Sequence, residues 1–297
     1  MLWHYRLGHP NFVYFEKIFP KLFNNKNPNQ FKCEICQLSK HTRHVFPSHA
    51  YKSSQPFTVI HSDVWGPARI NNISGARWFV LFIDDHTRIT WIFLMKEKTE
   101  VCQIFKNFNN MIQTQFHTRI RVLRTDNGKE FFNRSLGDYL LGEGIVHQSS
   151  CVDTPQQNGV SERKNRQLLV VARSLMFSMN VPKHFWGEAV LTATYLINRL
   201  PSRVLGFQTP LQIFAKTYPN SHLISHIPSR IFGCTVFVHI HAQHRSKLDP
   251  RFVRYVFLGY SQTQKGYKCY SPTIKQFFVS FDVTFMKTTP FYTKTEF

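Results

Sequence analysis

Apolar positions along this chain follow two rhythms. Phe57-Thr58-Val59-Ile60-His61 reads as a strand leading to Asp63. Trp78-Phe79-Val80-Leu81-Phe82-Ile83 is continuously apolar between Gly75 and Asp84-Asp85, which predicts a central strand buried on both faces. Ile89-Thr90-Trp91-Ile92-Phe93-Leu94 follows a tight connection and predicts a hairpin. The period then changes. Val101, Ile104, Phe105, Phe108, Met111 and Ile112 share one face of a helix over 98–116. Ile120-Arg121-Val122-Leu123 predicts a fourth strand that delivers Asp126. A short helix over 131–141 is stopped by Gly142 and Gly144, and Ile145-Val146-His147 is a fifth strand. A Ser/Pro/Gln loop over 149–158 enters a long helical segment carrying Glu162, and a further helix pattern over 183–200 follows Pro182.

The order β-β-β-α-β-α-β-α matches an α/β fold with a mixed sheet of the ribonuclease-H-like kind. Residues 201–230 read as a loop-rich connector. From 231 to 297 the pattern turns to short strands separated by Gly, Pro and Ser, as in a small β-barrel or sandwich. Ahead of the α/β region, 48–56 reads as a linker and 1–47 as a small separate module. In that module an apolar helical segment, 12–23, ends before the loop 24–29.

Composition adds a partner class. A hydrophobic content of 42% with 15% aromatic supports a folded core. Thirty-seven Lys and Arg against seventeen Asp and Glu give a net charge of +20, which favours a polyanion, since each phosphate contact releases counterions. No run approaches the roughly eighteen apolar residues that cross a bilayer, and the first residues lack the apolar core of a signal peptide, so a soluble intracellular protein with no membrane partner is expected. Six cysteines are too sparse for a disulfide scaffold.

Two constellations carry candidate chemistry. His4, His9, Cys33 and Cys36 supply two imidazoles and two thiolates, enough to close a tetrahedral zinc shell. His4 and His9 are too far round a regular helix to share a face, so a turn is expected between them, and Gly8 and Pro10 fit one. A redox C-x-x-C is the alternative, disfavoured by the absence of a preceding strand, and His41 and His44 are rival ligands. The second constellation is Asp63, Asp126 and Glu162, expected at two neighbouring strand ends and near the start of a helix. Carboxylates converging from separate segments hold hard divalent cations, and two such cations drive in-line displacement at a phosphodiester. Arg166, one helical turn beyond Glu162, faces the same way and reaches a phosphate, whereas Lys164 points elsewhere, towards DNA further out. Asp84 and Asp85 read as turn-shaping residues, with metal ligation the lesser alternative. Lys247 and Arg251, in a basic cluster with Arg245 and Arg254 around Leu248-Asp249-Pro250, read as nucleic-acid contacts or as a solvated loop.

These motifs, in this order, resemble the integrase region of copia-type LTR retrotransposon Pol polyproteins, of plant kind. The matching stretches run from Leu2-Trp3-His4 and Gly8-His9-Pro10 through His61-Ser62-Asp63-Val64-Trp65-Gly66-Pro67, Asp126-Asn127-Gly128 and 154–166 to Tyr195-Leu196-Ile197-Asn198-Arg199-Leu200-Pro201 and Ser246-Lys247-Leu248-Asp249-Pro250. The resemblance implies a zinc-binding pre-integrase module with one structural Zn²⁺ on His4, His9, Cys33 and Cys36, and a ribonuclease-H-like catalytic core. It further implies that Asp63 bridges two Mg²⁺ (or Mn²⁺), Asp126 holds one and Glu162 the other. The implied activity is DNA strand transfer by a polynucleotidyl transferase acting as a homo-oligomer in the nucleus. Met1 falls just before His4, and neither protease nor reverse transcriptase accompanies these motifs, so the chain reads as a fragment or a decayed copy. A catalytically inactive nucleic-acid-binding remnant is therefore the second expectation, and a ribonuclease-H-like nuclease a third.

Overall fold

The computed structural model describes residues 2–23, 27, 30–40, 55–151, 158–224, 227–240, 243 and 245–293. They belong to two compact units, Met1–Tyr51 and Lys52–Phe297. His41, His44 and most of the expected linker lie outside the described residues.

Among the described residues the first unit holds three short helices: α1 (Leu2–Arg6), α2 (Phe12–Ile18) and α3 (Glu34–Lys40). The single helix expected over 12–23 is interrupted at Phe19 and resumes as a 3₁₀ turn, Pro20–Phe23. Proline lacks the amide hydrogen that would continue the α-helical ladder. Phe12 stacks on the His4 ring and on Phe31, which in turn meets Phe23 edge-on. A unit this small depends on aromatic contacts of this kind for its core.

The second unit opens with β1 (Val59–Trp65), β2 (Trp78–Asp84) and β3 (Thr90–Met95), followed by α4 (Val101–Phe116), β4 (Val122–Thr125), α5 (Arg134–Gly142), β5 (Val146–Ser149), α6 (Gly159–Ser178) and α7 (Trp186–Ile197). The strands lie in the order β3-β2-β1-β4-β5. β1 to β3 run antiparallel, whereas β4 runs parallel to β1 and β5 parallel to β4. This is the mixed sheet of the ribonuclease-H-like fold. β2 is its keystone. Val80 and Phe82 face a core built with α4 and α5, while Phe79, Leu81 and Ile83 face a second core with α6 and α7. The continuous apolar run was the sign of that double burial. The connection from β2 to β3 hangs on the buried Asp84 carboxylate, which accepts from Phe57 N (2.7 Å), Thr87 N (2.8 Å) and Thr87 Oγ1 (2.6 Å).

One feature of this unit departs from the sequence expectation, and the β-rich C-terminal segment agrees with it. A helix, α8 (Pro210–Thr217), stands in the stretch read as loop. Its start carries a capping box, Thr209 with Gln212, and a proline in the first turn, a signal outweighed by the surrounding Pro and Gly. The C-terminal strands β6 (Cys234–His239), β7 (Phe252–Tyr260), β8 (Tyr267–Ser271), β9 (Gln276–Ser280) and β10 (Val283–Pro290) form one antiparallel sheet, ordered β10-β6-β7-β8-β9. This sheet is not freestanding. Phe232, Val256, Leu258 and Tyr270 complete the same core as Phe79 and Leu81. Lys268 Nζ reaches the Glu188 carboxylate on α7 at 2.8 Å, and Tyr260 stacks on Tyr195 with ring centres 3.8 Å apart.

One close approach is at Gly259, where φ is +122° and an added Cβ would sit 2.5 Å from Thr192 Oγ1. Gly259→Ala is expected to cost about 2–3 kcal/mol, through strain and overlap together. Gly142→Ala, with open space at its Cβ, is the neutral control. The denaturant midpoint checks this, and equal midpoints for the two variants would contradict the contact.

Candidate metal centre and acid site

In the first unit, α1 ends in a left-handed turn, with φ +72° at Gly8 and +59° at His9. His9 N donates to His4 O at 2.8 Å, and the reversal swings the His9 ring back over α1. This is the turn expected between the two histidines. Cys33 immediately precedes α3 and Cys36 lies in its first turn. His4 Nε2 and His9 Nδ1 stand 3.2 Å apart, Cys33 Sγ lies 3.4 Å from His9 Nδ1, and Cys36 Sγ lies 3.4 Å from His4 Nε2 and 3.7 Å from His9 Nδ1. All four donor atoms fall within 4.8 Å of one another. The structure thus gathers the full expected set into one possible metal centre.

In the second unit, β1 turns Ile60 and Val64 towards the α4 core and Trp65 towards the α6–α7 core. Asp63 shares the parity of Trp65 and faces α6. The strand does not end at Asp63, as the sequence reading expected, but runs on to Trp65, because Val64 and Trp65 continue the alternation. Asp63 Oδ2 accepts from Asn165 Nδ2 at 2.6 Å, and Oδ1 from Val64 N at 2.8 Å. Asp126 is the first residue beyond β4, the strand beside β1, and its Oδ1 accepts from Gly128 N at 3.0 Å. A Cβ on Gly128 would crowd that same oxygen at 3.0 Å. Glu162 stands exposed in the first turn of α6, where the helix dipole favours an anion.

Asp63 registers both other acids. Burial, foremost, raises its carboxyl to about 6; the Asn165 hydrogen bond opposes this, and the charges of Asp126 and then Glu162 push it further up. Beside Asp63 on the same strand, the buried His61 places Nε2 at 3.0 Å from Asp85 Oδ1, and Asp85 also takes Arg88 Nη2 at 3.0 Å. Burial, foremost, holds His61 below its usual range, against the hydrogen bond and the charge of Asp85. Asp84 has the turn-shaping role expected of it, and Asp85 is committed to His61 and Arg88.

Arg166 is exposed one turn beyond Glu162. Lys164 is not further out, as the sequence suggested. It is half-buried, and its ammonium is pushed down to about 8, first by burial and then by the Arg88 charge. Lys247 and Arg251 are exposed between β6 and β7, whereas Arg245 caps the Ile240 carbonyl and Arg254 lies over Phe291. Sequence reasoning missed Asn165 and Arg88. Asn165 could have been found as a polar residue three positions after Glu162, hence on its face of the helix. Arg88 carried no local signal.

Comparison with known proteins accords with this geometry. Residues 1–41 match the GAG-pre-integrase domain, 53–155 the integrase core domain and 234–296 the retroviral polymerase SH3-like domain. A chain of the simian T-cell lymphotropic virus intasome, solved in complex with PP2A regulatory subunit B56 gamma, shares the fold. It has a TM-score of 0.54 and 15% identity, covering 95% of this chain and 97% of that one. The fold is thus the ribonuclease-H-like one of that intasome chain. Among named relatives, the Pol polyprotein from transposon TNT 1-94 of Nicotiana tabacum is 35% identical over 96% of this chain and 21% of its own length. That from transposon RE1 of Arabidopsis thaliana is 34% identical over 95% of this chain and 19% of its own length. Through its pre-integrase and integrase core regions the chain is similar to these copia-type, retrovirus-related Pol polyproteins, and it spans about a fifth of those curated relatives.

Because the folded Asp63 binds its proton more tightly than an unfolded aspartate, its contribution to stability is present at acid pH and is lost as pH rises from about 4 through about 6. A carboxyl ¹³C titration is expected to place its midpoint near 6, higher in Asn165→Leu and lower in Asp126→Asn. A midpoint unmoved by both variants would break the coupling.

Proposed function

We propose that this region joins DNA strands, using Asp63, Asp126 and Glu162 as a catalytic triad that would hold two Mg²⁺ or Mn²⁺ ions. The observation that carries the proposal is Asp63 itself, a part-buried carboxylate under the charges of two further acids from separate elements. Such a site is electrostatically unsatisfied until cations enter it, and oxygen-only donors suit hard divalent ions. When bound, the ions supply activation of the attacking hydroxyl and stabilisation of the leaving oxygen.

The reaction is an exchange of phosphodiesters. A 3′-hydroxyl oxygen of the element end forms a bond to a target phosphorus as the bond from that phosphorus to the target's own 3′ oxygen breaks. The attacking hydroxyl loses its proton and the leaving oxygen gains one. Asn165 fixes Asp63 through Oδ2. Arg166, exposed beyond Glu162, meets a phosphate near the reacting one, and Lys247 and Arg251 hold DNA backbone farther away. The net charge of +20 supports DNA as partner. The intasome membership of the structural neighbour supports a homo-oligomer. The substrate makes the nucleus the site of action.

For the first unit we propose structural zinc. Around a tetrahedral Zn²⁺, with Zn–N of about 2.0–2.1 Å and Zn–S of about 2.3 Å, donor atoms lie roughly 3.3–3.8 Å apart. Four of the six donor pairs lie 3.2 to 3.7 Å apart and all six within 4.8 Å, which supports that ion.

The deciding assay is joining of a duplex bearing element-end sequence to plasmid DNA with Mg²⁺. Wild type is expected to give joined product, and Glu162→Gln to lose at least about a hundredfold, as removal of a metal-holding carboxylate does. Folded protein that binds DNA yet joins nothing would make it an inactive DNA-binding remnant, and equal activity in both forms would remove Glu162 from the triad. For zinc, purified wild type is expected to carry about one equivalent, and Cys36→Ser close to none. Zinc absent from folded wild type would refute that site.

A further inference from the structure

Beside the three acids lies a group of cations that the proposed triad does not use. Arg88, Arg124 and Lys164 come from three different elements, namely the β2–β3 connection, β4 and α6. His61 pairs with Arg124 across the β1–β4 ladder, and the charges of Arg88 and Arg124 both act on the His61 ring. The Arg88 charge also acts on Lys164. His61 and Asp63 are alternate residues of β1 and share a face, so this group begins about 7 Å along the strand from Asp63. Lys164 directly precedes Asn165, whose amide holds Asp63.

The compensation is incomplete. Asp85, 4% exposed, supports Arg88 and is shared with His61. Arg124 is bonded to the neutral Gln148 and Lys164 to the neutral Gln167, the latter at 3.4 Å. Arg88 Nε is buried without an acceptor among the described residues. Arg88 is moreover held at φ +62°, a left-handed conformation that arginine seldom adopts. Like charges brought together on a part-buried surface, one of them on a strained backbone and aimed by a buried carboxylate, are costly to the free protein. Such an arrangement persists where an anion completes it.

We propose that Lys164 and Arg88, with Arg124 at their side, form a DNA-phosphate site flanking Asp63, in which Asp85 and His61 act as positioning residues for Arg88. This deepens the strand-transfer reading and rests on it for the identity of the anion. The site would fix the strand one or two nucleotides from the reacting phosphodiester, so that Asp63 and the phosphorus share a register set by the sheet.

The test separates the two proposals because it needs neither metal nor chemistry. Binding of a short duplex of arbitrary sequence is measured by fluorescence anisotropy across a KCl series without divalent ions. The full chain is used in a Glu162→Gln background, alone or with Lys164→Met or Arg88→Gln. Each substitution is expected to weaken binding about five- to tenfold at low salt and to reduce the slope of log K against log salt by about 1, one phosphate contact's worth. Lys164→Met is also expected to raise the melting temperature of the DNA-free protein, since it removes the repulsion with Arg88 while keeping the length of the side chain. A purely structural Lys164 would leave the salt slope unchanged. A folded Lys164→Met protein with an unchanged slope overturns the site, whatever the joining assay gives. A reduced slope upholds it even where no joining occurs.

Discussion

The second unit depends on one strand that gives neither face to solvent. β2 divides its side chains between two cores, Val80 and Phe82 on one side and Phe79, Leu81 and Ile83 on the other. Each of those residues is fully buried. Burial of this kind fixes register absolutely, since a slip of one residue would exchange the two sets. β1 is paired to β2 through six residues, Ile60 to Trp65. Asp63, opposite Leu81, therefore inherits a position set by hydrophobic packing rather than by its own chemistry.

That inheritance explains how an acid can be held where it is unwelcome. The position of Asp63 raises its carboxyl to about 6, and Asp126 and Glu162 add to the penalty. The cost is borne by the two cores, which are large relative to a unit or two of pKa, about 1.4 kcal/mol each. The cationic group around Arg88 is held in the same way, from the turn that Asp84 ties to Phe57 and Thr87. Acids and cations stand side by side without cancelling, because Asp85 and Asn165 hold them in separate hydrogen-bonding frames.

How much of this could be read beforehand depended on the range of the interaction. The double burial of β2 was legible in an unbroken apolar run. The α4 face was legible too: Val101, Phe105, Phe108 and Ile112 are buried as their period required. The cluster of His4, His9, Cys33 and Cys36 was legible because donor type and a Gly-His-Pro turn are local signals. The Asn165–Asp63 bond spans 102 residues of sequence, so that the partner of Asn165 had no local trace. The same holds for Arg88, whose importance arises from the side chains opposite it. α8 was legible and overlooked, its capping box lying between prolines. The union of the C-terminal sheet with α7 was hidden because Gly259 and Thr192 meet only once both elements are folded.

That union bears on inheritance. A junction between segments of two related chains succeeds only where few side chains must match across it. Between α7 and β6 it would set one lineage's Thr192, Glu188 and Tyr195 against another's Gly259, Lys268 and Tyr260. The sheet and the core before it are thus expected to descend together, as a single heritable block.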